Sequence, residues 1–71
     1  MPLVMADRGR KLRIQAIHGG HGLRRRLSAM GLVPGMEVEV VRNDHGGPLI
    51  VEVLDTRLML GRGMGHKISV R

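Results

Sequence analysis

The four histidines are the residues of this sequence that could bind a transition metal. His18 and His21 are separated by two glycines, whereas His45 and His66 lie far along the chain. Imidazole nitrogen is a good ligand for iron, nickel, copper and zinc. The segment from His18 to His21 offers only two such ligands and has no carboxylate beside it in the sequence. We therefore expect no resident cofactor, and at most weak binding of a divalent metal at His18 and His21.

The densest charge cluster is the run Arg24, Arg25 and Arg26. The chain has a formal net charge of +6, which favours an acidic partner such as nucleic acid, an anionic membrane surface or an acidic protein face. Two interpretations of the cluster stay open. It is either a solvated helix face, or a contact with acidic groups on a partner protein together with Lys11 and Arg13. His18 and His21 are further candidates for partner binding.

Two methionines, Met59 and Met64, flank the glycine-rich residues 61–65, and they could form an adaptable hydrophobic patch for a partner. The chain contains six methionines and no aromatic residue, so gap-filling in the core is expected for most of them. Residues 61–65 superficially resemble a phosphate-binding loop. They lack the Lys-Ser/Thr pair of a P-loop and a following helix of adequate length, and are predicted to form a bend between two strands.

The residues needed for catalysis are missing from the sequence. There is no cysteine, no serine in a nucleophile elbow and no pair of carboxylates beside a histidine. Without Phe, Tyr or Trp, the chain also cannot stack nucleic-acid bases or line a groove for proline-rich peptides in the usual way. The sequence therefore predicts a non-enzymatic interaction module.

One helix of useful length is predicted, and it must position the arginine cluster. Leu23, Leu27 and Met30 recur at the spacing of one helix face. Gly31 is suited to end that helix in a left-handed conformation. Pro34-Gly35 then predicts a type II turn, because proline fits its first central position and glycine its second. The chain is expected to leave the helix and enter a strand at once.

Alternating apolar and polar residues predict about five short strands around this helix. They cover residues 11–17, 36–40, 49–54, 57–60 and 66–70, with a tight turn at Asp55-Thr56. Ile17 breaks the alternation at the end of the first strand. Five strands with one helix inserted after the first predict a mainly β fold, a small and strongly bent antiparallel barrel.

With 71 residues, the chain is expected to be a single domain, in which residues 1–8 are a loosely attached lead. The absence of cysteine favours a reducing compartment. The sequence has no signal peptide and no run of about 18 apolar residues. These features predict a cytoplasmic protein that is not inserted in a membrane.

Several segments together resemble the ferrous iron transport protein A family. They are Arg26-Leu27, residues 30–35, Glu37-Val38 and residues 57–64, which read Arg-Leu-Met-Leu-Gly-Arg-Gly-Met. The match extends from about Gly9 to the end of the chain. The resemblance implies an SH3-like barrel and a cytoplasmic role in assisting a membrane ferrous iron transporter that carries its own GTPase domain. One departure is Asp55, where the family's tight turn often has glycine, although aspartate tolerates a left-handed conformation.

The leading hypothesis is therefore an accessory of ferrous iron uptake that binds the cytoplasmic part of the transporter and modulates it. Related domains occur as appendages of metal-dependent transcriptional repressors, but no DNA-reading helix-turn-helix precedes this one. Two alternatives stay open. One is a small basic barrel that binds nucleic acid through phosphate contacts alone, although no specific nucleic acid is expected. The other is a metal-sensing domain that uses its histidines.

Overall fold

The computed structural model describes residues 1–44 and 46–71, which form one small β structure with two short helices. His45, one of the four candidate histidines, lies outside the described residues. The strands are β1 (Lys11–Ile17), β2 (Glu37–Asn43), β3 (Leu49–Val53), β4 (Thr56–Leu60) and β5 (Ile68–Val70). The helices are α1 (His21–Ala29) and α2 (Arg62–His66), and a 3-10 turn spans Leu3–Met5.

The five strands form one antiparallel sheet in the order β4-β3-β2-β1-β5. This confirms the mainly β fold with a helix inserted after the first strand. The sheet is strongly bent but not closed, since β4 and β5 do not pair in the described part of the chain. The short helix α2 joins these two strands and packs against both β5 and the 3-10 turn. The helix α2, the 3-10 turn and β5 thus pack together at one side of the sheet.

A β-bulge in β1 explains why Ile17 breaks the alternation of its strand. Ile14 pairs with Val70 and Ala16 with Ser69, so β1 advances two residues while β5 advances one. The extra residue reverses the side to which the following side chains point. As a result Leu12, Ile14 and Ile17 are all buried.

The prediction of a loosely attached lead at residues 1–8 is wrong. Leu3, Val4 and Ala6 are buried in the core, and the Asn43 Nδ2 group donates hydrogen bonds to the Val4 and Ala6 carbonyl oxygens at 3.0 and 2.7 Å. The segment shows no strand or helix period in the sequence, because its one regular element is a 3-10 turn. Its attachment depends on side chains from distant parts of the chain. Apart from this segment and Leu32, which follows α1, the core is built of strand and helix residues. Its buried members are Leu3, Val4, Ala6, Leu12, Ile14, Ile17, Leu27, Leu32, Val38, Val40, Leu49, Val51, Val53, Leu60, Ile68 and Val70.

The helix α1 packs on the core through fewer residues than its periodicity predicts. Leu27 is fully buried and Leu23 is half-buried, but Met30 remains 38% exposed. Met30 is the C-cap of α1, with φ −95° and ψ 4°, so the helical spacing no longer applies to it. The buried position is taken instead by Leu32, beyond the helix end.

The predicted glycine stop at Gly31 is confirmed. Gly31 has φ +86°, its N–H donates to the Ser28 carbonyl at 3.0 Å, and the Leu32 N–H donates to the Leu27 carbonyl at 2.9 Å. These two bonds form a Schellman motif. The motif reverses the chain so that the residues after α1 run back toward β1.

Two glycine-to-alanine substitutions should therefore have opposite effects on stability. Gly31→Ala should lower the free energy of unfolding by about 1–2 kcal/mol, because alanine is strained at positive φ. Gly22→Ala should raise it by up to about 1 kcal/mol, since Gly22 lies within α1 and a methyl group there meets no atom within 4 Å. Urea unfolding of both variants checks the pair. A stabilising Gly31→Ala would contradict the assigned helix end.

The hairpin between β3 and β4 turns at Leu54-Asp55, one residue earlier than the predicted Asp55-Thr56. Val53 pairs with Thr56, and the two turn residues have φ values of +50° and +60°. A two-residue hairpin with both central residues at positive φ is a type I′ turn. Aspartate suits this conformation, but leucine does not, which is why the sequence alone places the turn too late.

Candidate protein-interaction surface

A groove of about 360 Å³ lies between α1, the end of β1 and the segment that leads into β2. Arg24 and Ser28, one turn apart on α1, supply its polar side. The remaining walls are mainly apolar or backbone. They are formed by Gln15, Ala16, Ile17, Leu32, Val33 and Pro34. We call this the α1 groove. It combines an apolar floor with one cationic side chain.

The predicted turn at Pro34-Gly35 holds the outer wall of the α1 groove in place. Gly35 has φ +95° and the Met36 N–H donates to the Val33 carbonyl at 3.1 Å, as a type II turn requires. The turn is tied to β1, since the Gly35 N–H donates to the Ile14 carbonyl at 2.8 Å. In addition, Arg13 Nη1 donates to the Gly35 carbonyl at 2.7 Å. The wall is therefore preformed.

The arginines of α1 form a basic face with no acidic counterpart. Arg24, Arg25 and Arg26 are all exposed, and α1 contains no acidic residue. Within the described part of the chain, ion pairs form only between Arg42 and Asp44 and between Arg57 and Glu52. The arginines of α1 are therefore available to acidic groups of another molecule.

The carboxylates lie on a different part of the surface. A depression of about 290 Å³ is lined by Glu37, Glu39, Glu52 and Asp55, with Lys11 among them. The strand register explains why charged side chains gather here. Lys11 pairs with Glu39, Glu39 with Glu52 and Glu52 with Arg57, so these four side chains lie in one row on the outer face of the sheet. These carboxylates thus lie on the sheet, away from the arginines of α1.

The structure places His18 and His21 beside the arginines but does not build a metal centre from them. Both histidines are exposed at the connection from β1 to α1, where the His18 N–H donates to the Lys67 carbonyl at 2.7 Å. His66 is exposed at the end of α2. Over residues 1–44 and 46–71, no three histidine, aspartate or glutamate side chains come close enough to hold one metal ion.

The methionines are divided between surface and core, contrary to the expectation that most fill the core. Met59 is 71% exposed on β4, and Met1, Met5 and Met30 are also exposed. Only Met36 and Met64 pack against the core, and both are half-buried. The strand order separates Met59 on β4 from the α1 groove on β1 by two strands. Met59 and the α1 groove therefore do not form one surface.

Residues 61–65 were expected to form a bend and instead contain most of the helix α2. The Arg62 guanidinium donates to Asn43 Oδ1 and to the Asp44 and Gly47 carbonyls, each at 3.0 Å, and to the Val4 carbonyl at 3.4 Å. The Arg-Gly-Met segment thus ties α2 to the N-terminal segment and to the loop after β2. In the sequence, the position of Arg62 between Gly61 and Gly63 is the one sign that it could tie these segments together.

Gly65 is the one glycine of residues 61–65 that close packing requires, since a methyl group built on Gly61 or Gly63 would meet no atom within 4 Å. It is buried, and a methyl group built on it would lie 2.7 Å from Leu49 Cδ1 and 3.2 Å from Val4 Cβ. Only a residue without a side chain lets α2 approach the N-terminal segment this closely. Gly65 therefore serves the packing of α2 on the N-terminal segment and on β3.

The fold and this surface define a small SH3-like β domain that presents a basic helix beside a preformed groove. No helix of the described residues is long and apolar enough to cross a membrane. The sequence matches the FeoA domain family over residues 1–71. The chain therefore belongs to the FeoA family, the family of ferrous iron transport protein A, which confirms the resemblance.

Individual relatives agree with this assignment. A protein of Methanocaldococcus jannaschii, provisionally named Fe(2+) transport protein A, is 35% identical over 69 residues, which cover 97% of this chain and 83% of that protein. The crystal structure of an iron uptake regulatory protein, FeoA, has a TM-score of 0.94 at 35% identity and covers 100% of this chain and 95% of its own. The zinc complex of Stenotrophomonas maltophilia FeoA, described as a prokaryotic SH3 domain protein, has a TM-score of 0.87 at 28% identity, covering 100% and 89%.

Proposed function

We propose that this protein is a non-enzymatic cytoplasmic accessory of ferrous iron uptake. In this proposal it binds the cytoplasmic part of a membrane ferrous iron transporter that contains a GTPase domain, and modulates that transporter. Membership of the FeoA family supports the link to ferrous iron transport. The S. maltophilia relative has itself been suggested as an activating factor for bacterial ferrous iron transport.

The observation that carries the proposed contact is the unpaired basic face of α1 beside the preformed apolar groove. Arg24, Arg25 and Arg26 have no acidic partner in the described part of the chain. Charge complementarity across an interface speeds association and selects the partner, while apolar contacts in a groove slow dissociation. The surface is thus suited to an acidic segment that also carries apolar side chains. His18 and His21 lie at the start of α1 and extend the same surface.

The experiment that tests this is a backbone-amide NMR titration with the transporter's purified cytoplasmic GTPase domain at physiological salt, with and without a GTP analogue. We expect localised shifts or broadening at the α1 residues and at residues 18–22. Shifts confined to Met59 and Met64 would replace the α1 surface with the methionine surface. No perturbation in any nucleotide state would contradict a contact with the GTPase domain.

Charge reversal on α1 should weaken this binding while reversal elsewhere should not. Arg24→Glu is expected to raise the Kd for the GTPase domain about tenfold, an effect typical of a lost charge pair at an interface. Arg10→Glu makes the same change in net charge at an exposed position outside the α1 groove, and serves as the control. Equal weakening by both variants would show that only the overall charge matters.

We also propose that the protein acts without a resident metal or other cofactor. In the described residues the histidines are dispersed, and no carboxylates complete a site around them. Anaerobic calorimetric titration with ferrous ion should show at most weak binding, and that binding should be reduced in a His18→Ala, His21→Ala double variant. Tight binding of one ion per chain would overturn this view and favour a metal-sensing role.

A further inference from the structure

The two edges of the sheet differ in whether they are covered. At β5 the edge is occupied by the N-terminus, since the Val70 N–H donates to the Met1 carbonyl at 2.7 Å and the Met1 amino group donates to the Val70 carbonyl at 2.9 Å. Pro2 also bridges to Ser69. By contrast, β4 pairs with β3 alone in the described part of the chain. The molecule therefore has one covered edge and one open edge.

The hairpin geometry determines which backbone groups of β4 face the open edge. In a two-residue hairpin the residues that flank the turn, here Val53 and Thr56, exchange both hydrogen bonds. Thr56, Leu58 and Leu60 consequently bond to β3, while the N–H and C=O groups of Arg57 and Met59 point away from the sheet. No backbone hydrogen bond from another described part of the chain reaches these residues. They offer two donors and two acceptors in strand geometry.

The side chains around this edge are apolar and basic. Met59 is 71% exposed on the outer face of the sheet, beside the half-buried Ile50 with which it pairs. A groove of about 440 Å³ next to Met59 is lined by three arginines, Arg8, Arg42 and Arg57, together with apolar side chains. Arg42 and Arg57 are paired with Asp44 and Glu52, whereas Arg8 forms no ion pair within residues 1–44 and 46–71. Arg42 lies on β2, two strands in from the open edge, so the arginine nearest that edge is Arg57, and Arg8 is the one groove arginine without an ion pair in the described residues. Together with the net charge of +6, this favours an acidic partner.

We propose that the open edge of β4 binds an extended, acidic segment of a partner polypeptide by strand addition. The outward N–H and C=O groups of Arg57 and Met59 would pair with the added strand. Alternate side chains of that strand would lie beside Met59 and Arg57 on the outer face of the sheet, where apolar groups and carboxylates are complementary. A second copy of this chain is a poor occupant, because each copy has a net charge of +6 and would bring arginines against arginines. This site is separate from the α1 groove.

A pair of capped hexapeptides tests the proposal, one alternating glutamate with valine and the other alternating lysine with valine. Added to the full chain at physiological salt, the acidic peptide should shift the amide signals of Arg57 and Met59 and slow their hydrogen exchange. The lysine peptide should bind at least tenfold more weakly. Equal binding of both peptides, shifts confined to α1, or concentration-dependent shifts of the same amides without peptide would each overturn the proposal.

Two substitutions of Met59 separate strand pairing from simple apolar contact. Met59→Pro removes an outward N–H while leaving the bonds from Leu58 and Leu60 to β3, and proline is tolerated on an edge strand in this position. It should weaken binding of the acidic peptide about tenfold. Met59→Thr keeps the N–H and should retain most of the binding. Similar losses in both variants would show that the methionine side chain, and not strand addition, holds the peptide.

The same variants distinguish this proposal from the proposed function. Arg24→Glu should leave peptide binding at β4 unchanged, whereas Met59→Pro should leave the GTPase-domain shifts at α1 unchanged. The backbone-amide spectrum of each variant confirms that it is folded. A loss of peptide binding in Arg24→Glu equal to that in Met59→Pro would contradict a separate site.

Discussion

Arg62→Met should lower the free energy of unfolding by about 2–4 kcal/mol, the effect expected when several half-buried acceptors lose a charged donor. The substitution leaves Asn43 Oδ1 and the Gly47 and Val4 carbonyls without the guanidinium that now joins them. It also removes the hydrogen bond of 3.4 Å that joins Arg62 of α2 to the Val4 carbonyl. Urea unfolding monitored by far-UV circular dichroism measures the change.

Two controls separate this network from a general effect of charge. Arg57→Met removes an exposed arginine whose pair with Glu52 spans 3.4 Å, and should change stability by no more than about 0.5 kcal/mol. Arg62→Lys keeps the charge but lacks the planar fork that reaches several acceptors, so it should recover less than half of the loss. If Arg62→Met were as mild as Arg57→Met, the network would not hold the fold together.

Leu27→Ala is the second substitution with a large expected effect, a loss of about 2–5 kcal/mol. Leu27 is the one fully buried side chain of α1, and it also supplies the carbonyl that accepts the Leu32 N–H. Removing its side chain leaves a cavity that the short helix is poorly able to fill. The α1 amides should then exchange faster with solvent, and binding to the GTPase domain should weaken with them.

Met30→Ala is the matched control, because Met30 occupies the same predicted stripe but is 38% exposed. It should cost less than about 1 kcal/mol. Thermal unfolding of the two variants under identical conditions compares them directly. A larger loss for Met30→Ala would mean that α1 packs through its predicted stripe and not through Leu27 and Leu32.

The residues that hold the fold together differ from those that are free to bind a partner. Residues 61–65 contain most of α2 and attach it to the N-terminal segment. Gly31 and Gly35 shape the wall of the α1 groove. The arginines of α1 and the edge of β4 contribute little to the core. A substitution in the first group should act through stability, whereas one in the second should act through binding.

The sequence by itself determined the strands, the helix and the glycine-dependent turns. Period-two alternation identifies strands such as β2, and Gly31 and Gly35 are recognised because positive φ strongly favours glycine. The arginine cluster is also visible in the sequence, because its three residues of like charge are adjacent in the chain. These features depend on residues that are close together in the chain, so a short stretch of sequence is enough to predict each of them.

The tertiary structure decided what depends on residues far apart in the chain. The burial of residues 3–6, the network of Arg62 and the open edge of β4 each require elements separated by tens of residues to meet. Ile17 is turned inward by a bulge that exists only in its pairing with β5. Hydrogen-bond satisfaction and close packing act on the assembled sheet, and no local pattern of residue types encodes them.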